Sequence, residues 1–61
     1  MKRRALLDHL KGHGCEFLRE GGRHTMYVNR PAGRSSAIPR HSEITNNMAR
    51  KICRDLGVPP P

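Results

Sequence analysis

A chain of 61 residues makes one domain, 1–61, and folding withdraws only about 60% of the surface of so short a chain from water. Hydrophobic residues are 34% of it, with one Phe, one Tyr and no Trp, so the core falls to Leu, Ile, Val, Met and Ala, and a partner covering apolar surface would stabilise it. Twelve Lys and Arg against five Asp and Glu leave a formal charge of +7, the footprint of a polyanion binder with nucleic acid foremost; an alkaline but inert surface is the alternative.

Nine of the twelve cations are Arg, whose planar fork suits phosphate oxygens and base edges better than the lysine point charge. The opening "MKRR" is followed only by Ala5, Leu6 and Leu7 before Asp8, too short for the apolar region of a secretion signal. No apolar run approaches the ~18 residues of a membrane span. The expectation is a cytoplasmic protein with no membrane partner, in which Cys15 and Cys53 are reduced and buried.

Leu6, Leu7 and Leu10 share a helical face and Gly12 and Gly14 supply stops, which predicts a first helix over residues 3–12. "CEFLR" (15–19) then reads as a strand. "EGGR" is a hairpin signal, and "HTMYVN" (24–29) is the second strand. "RPAG" (30–33) places Pro second and Gly fourth, as in a type I turn, and "RSSAI" (34–38) returns as a third strand ended by Pro39, hence at an edge.

Ser42 is the expected N-cap of a second helix with Glu43 in its first turn. Ile44, Met48, Ala49, Ile52 and Leu56 recur at helical spacing, and Gly57 with the apolar Val58 and the prolines beyond it (59–61 forming a short tail) ends that helix. The expected fold is therefore α+β in the order α-β-β-β-α, two amphipathic helices on one face of a three-stranded antiparallel sheet. The open face and hairpin tips would carry some of Arg19, Arg23, Arg30, Arg34 and Arg40, a register slip of one residue being enough to exchange the faces.

His9 and His13, four apart with Cys15 behind them, are the one pattern with zinc-ligand spacing. No C-x₂-C accompanies them, and histidines in a last helical turn also suit the helix dipole, so no metal site is assigned. The glycines lack the Lys-Ser or Lys-Thr of a phosphate-binding loop, and five scattered carboxylates make no hydrolytic pair. Histidine and arginine remain, and they suffice for metal-free cleavage of RNA, whose 2′-hydroxyl is an internal nucleophile. His24, at the mouth of the second strand, is either the residue that moves the proton or a polar cap on a strand end. With two aromatic residues, a base-stacking platform for single strands is a poor third reading.

The runs "GCEFLREGGRH", "IPRHSEI" and the terminal "I-x-x-x-L-G", within about Ala5 to Val58, resemble the HicA-type toxins, small mRNA interferases of bacterial and archaeal toxin–antitoxin pairs. The resemblance implies a double-stranded-RNA-binding-domain-like fold, a cognate HicB-like antitoxin and mRNA as partners, and no cofactor. It implies that His24, behind Gly22 and Arg23, is the catalytic residue. Many relatives carry Ser or Asp where this chain has Arg23, a departure that puts a cation beside His24 and in reach of phosphate. Arg40 and His41, between a strand end and a helix start, are expected to hold phosphate, or His41 merely begins the helix. A non-catalytic RNA- or DNA-binding module of the same fold is the alternative function.

Overall fold

A computed structural model describes residues 1–61 and gives the order α1 (Arg3–Gly12), β1 (Glu16–Gly21), β2 (His24–Asn29), β3 (Arg34–Pro39) and α2 (Asn46–Leu56). The strands form one antiparallel sheet in the order β1-β2-β3, so the third strand is an edge as Pro39 implied. The first strand runs one to two residues later than expected, because Cys15 is drawn into the core and a bulge between Phe17 and Arg19 lengthens the strand. Its hairpin closes on Gly22 and Arg23, with Gly21 opposite His24. In the second hairpin the Gly33 amide donates to the Arg30 carbonyl at 3.0 Å, and Gly33 takes a φ of 66°, which suits a residue without a Cβ.

Side chains alternate across a strand, and here the alternation divides helix side from solvent side. Thr25, Tyr27, Asn29, Ser36 and Ile38 are buried beneath the helices. Tyr27 and Ile38 share one cluster with Leu6 and Leu10 of α1, with Ile44, and with Ala49, Ile52, Cys53 and Leu56 of α2. Each large aliphatic side chain buried there contributes about 1.5–3 kcal/mol. Cys15 and Cys53 are free buried thiols, and burial pushes both above the ordinary thiol range.

The second helix does not begin at Ser42. Thr45 is its N-cap, the hydroxyl accepting from the Met48 amide at 3.2 Å. Residues 42–44 are engaged elsewhere: the Arg3 amide donates to the Ser42 carbonyl and the Ile44 amide to the Met1 carbonyl, both at 2.8 Å, and Lys2 and Glu43 form an isolated antiparallel bridge. A backbone held extended by the chain start cannot also turn as a helix, so helix α2 waits for the next residue with a capping oxygen. Glu43 accordingly lies outside the first turn, paired with Lys2 Nζ at 3.0 Å.

The far end of α2 stops as expected. Gly57 sits in the left-handed region with φ 72°, and its amide and that of Val58 donate back to the Arg54 and Cys53 carbonyls, a Schellman arrangement. A Cβ on Gly57 would also meet the Arg34 side chain at 3.1 Å. Asn29 Nδ2 and Arg34 Nε satisfy the Leu56 and Asp55 carbonyls at 2.7 and 3.0 Å, which ties the sheet to the helix end. No helix is long and apolar enough to cross a membrane.

Candidate functional site

His24 opens β2 at the end of the sheet with its side chain exposed, just before the alternation that buries Thr25, Tyr27 and Asn29 begins. It pairs with Gly21 on β1 and Pro39 on β3. Beside it lies a shallow depression of 280 Å³ lined by His24, Pro39, His41, Glu43, Ile44, Thr45 and Met48. Two stretches distant in sequence meet there: the mouth of β2, and the run from the end of β3 through the connection into the first turn of α2. His24 and His41, expected at separate places, thus face one hollow. Arg23 stands next to His24 at the exposed hairpin tip.

Arg40 turns the other way. Its Nη1 donates to the Gly22 carbonyl at 2.9 Å, its Nη2 to the Gly21 carbonyl at 3.2 Å and the His24 carbonyl at 3.5 Å, and Nη2 pairs with Glu20 Oε2 at 2.6 Å. The guanidinium grips the backbone of the turn that presents His24. Glu20 stands opposite Thr25 in the sheet, and the Thr25 hydroxyl, then the Arg40 charge, hold its carboxyl below the usual range. Arg3 adds a further tie, donating to the Pro39 carbonyl at 2.9 Å and to Thr25 Oγ1 at 3.0 Å. Arg3, Glu20 and Thr25 carried no sequence signal, because only the strand register puts them together.

The other arginines divide in the same manner. Arg30 pairs with Glu16 and Arg34 lies on the helix side against Asp55, while Arg19, opposite Met26, stays on the open face. A larger hollow of 590 Å³ around Lys2, Arg3, Arg4, Asp8 and Ser42 is basic but holds no imidazole, so it can attract an anion without moving a proton at neutral pH. At the opposite end of α1 the His9 and His13 rings lie 4.7 Å apart, and His9 Nε2 bonds the Pro59 carbonyl at 2.8 Å, strapping the proline tail to the helix. No three His, Cys, Asp or Glu side chains gather in a group able to hold a metal ion.

No curated protein and no solved structure matches the chain. The family model described as the HicA toxin of bacterial toxin–antitoxin matches residues 3–58, which takes in both helices, the whole sheet and every residue of the depression. A toxin of that kind implies an antitoxin as partner. With the order α-β-β-β-α and this match over nearly its whole length, the chain belongs to the HicA toxins of bacterial toxin–antitoxin systems.

Proposed function

We propose that the chain is a metal-independent endoribonuclease that cleaves mRNA in the cytoplasm and so halts translation, with His24 as its catalytic residue and a HicB-like protein as its antitoxin. The observation that carries this reading is the exposed imidazole at the edge of an open depression in a strongly basic domain. An imidazole can both accept and donate a proton near neutral pH, which an arginine cannot. The ribose 2′-hydroxyl needs that proton removed before it attacks the adjacent phosphorus. Arg23, fixed in charge and beside His24, contacts the phosphate and stabilises the negative charge that builds on it. No cofactor is needed, since nucleophile and leaving group both belong to the RNA.

The experiment is cleavage of RNA by the purified chain, with DNA of the same sequence as control. RNA should yield a 2′,3′-cyclic phosphate and a 5′-hydroxyl, DNA should stay intact, and His24→Ala should lower the rate by ~10²- to 10⁴-fold while RNA affinity persists. Expression of the parent without antitoxin should arrest growth, and of His24→Ala should not. RNA bound tightly but left intact by the parent would identify a non-catalytic RNA- or DNA-binding module instead.

A further inference from the structure

We propose that His41 is a second catalytic residue, the proton-transfer partner of His24 across the depression the two residues line. This rests on the reading of the chain as an RNA-cleaving enzyme. Transesterification needs two proton transfers: one imidazole takes the proton of the 2′-hydroxyl as the O2′–P bond forms, and an imidazolium gives a proton to the 5′-oxygen as the P–O5′ bond breaks. The products are a 2′,3′-cyclic phosphate and a 5′-hydroxyl. The pair is left with its protonation states exchanged, and water resets it. A single histidine holding one proton cannot perform both transfers in one step.

With His24 taking the proton of the 2′-hydroxyl, the depression leaves one candidate for the general acid that protonates the 5′-oxygen. Pro39, Ile44 and Met48 carry no exchangeable side-chain proton. The Thr45 hydroxyl accepts from the Met48 amide as the cap of α2, and an alcohol is no acid near neutrality. Glu43 pairs with Lys2 Nζ at 3.0 Å and with the chain's terminal amine at 3.7 Å. Those two cations, Lys2 foremost, hold its carboxyl below the usual range, so it is ionised and has no proton to give.

His41 remains, and the fold directs it. Pro39 is the β3 partner of His24, and His41 is two residues beyond it. Between them Arg40 points to the hairpin turn and Glu20, while Pro39 and His41 line the depression, an alternation of the kind a strand end imposes. The charged groups about His41 are therefore Glu43 with its two cationic partners, and Arg40 with Glu20.

The test compares the parent, His24→Ala and His41→Ala on one RNA. The parent should show a bell-shaped pH dependence of kcat/KM, and each variant should lose one limb together with ~10²- to 10⁴-fold in rate. RNA affinity and its salt dependence should match the parent's for both, and thermal melting confirms that each is folded. A second RNA carries a bridging 5′-sulfur at the bond the parent cleaves. Its thiolate leaves without protonation, so the variant lacking the general acid recovers its rate and the variant lacking the base does not. His41→Ala cleaving at the parent's rate with both limbs intact overturns the proposal, as does a loss confined to KM with a shallower salt slope, which marks His41 as a phosphate ligand only. A parent that cleaves no RNA overturns the functional reading itself.

Discussion

Arg40 and Glu20 meet across the end of the sheet, Nη2 to Oε2 at 2.6 Å, and the same guanidinium holds the carbonyls of Gly21, Gly22 and His24. The strand-to-helix connection is thereby locked onto the turn from which His24 projects. A cation at that position reads in sequence as a phosphate ligand, and in three dimensions as the fastening that sets where His24 stands.

Arg40→Ala should therefore lower kcat by about 10²-fold, the cost of displacing a reacting group by about an ångström, with RNA affinity little changed. Arg23→Ala should do the reverse, weakening binding and reducing the salt slope by about 0.7–0.9 for each phosphate that Arg23 neutralises. Cleavage kinetics and affinity titrations at salt concentrations from about 50 to about 200 mM separate the two, and a reduced salt slope for Arg40→Ala would return that residue to the phosphate.

Chelation should leave cleavage intact. The chain brings together no three side chains of metal-ligating type, and the RNA supplies its own nucleophile. Rates with and without EDTA are the measurement, and activity abolished by EDTA and restored by zinc or magnesium would point back to metal chemistry.

The start of α2 can be tested by alanine substitution at its cap and at the serine upstream. Thr45→Ala removes the oxygen that caps the Met48 amide and should cost about 0.5–2 kcal/mol, a fall of about 4–8 °C in melting temperature per kcal/mol for a domain of this size. Ser42→Ala should be close to neutral, since Ser42 contributes only its backbone carbonyl to Arg3.

Stability should fall in acid. Glu20, Glu43 and Asp55 all have carboxyls lowered in the folded chain, chiefly by hydrogen bonds from Thr25, Lys2 and Lys51 respectively. A group whose pKa is lower folded than unfolded binds fewer protons in the native state, so its contribution is full above the unfolded carboxylate range and disappears as pH falls through the folded value. Denaturant midpoints should thus hold steady near neutrality and drop below about pH 4.5. Glu20→Gln should flatten part of that drop, and an unchanged acid limb would remove Glu20 from it.

Much of the fold was legible because its signals are local. The leucine spacing and glycine stops of α1, the run from His24 to Asn29, the Pro-Gly turn at Arg30–Gly33 and the Gly57 stop each depend on residues within a few positions of one another, and each stands where the sequence put it. The element order, and with it the position of His24 at a strand mouth, follows from those signals alone. What the tertiary structure decided is everything that depends on pairing across the chain. Ser42 does not cap α2 because residues 1–3 hold residues 42–44 extended, through hydrogen bonds from the far end of the sequence. Arg34 went to the helix side and Arg19 to the open face because the register pairs them with Asn29 and Met26. His41 joined His24 because the β2–β3 ladder brings Pro39 against the strand mouth and the chain continues two residues past it. A residue's propensity is set by its neighbours in sequence, whereas its charge and hydrogen-bond partners are chosen by strand register and helix docking, which minimise free energy over the whole chain and leave no mark at any one position.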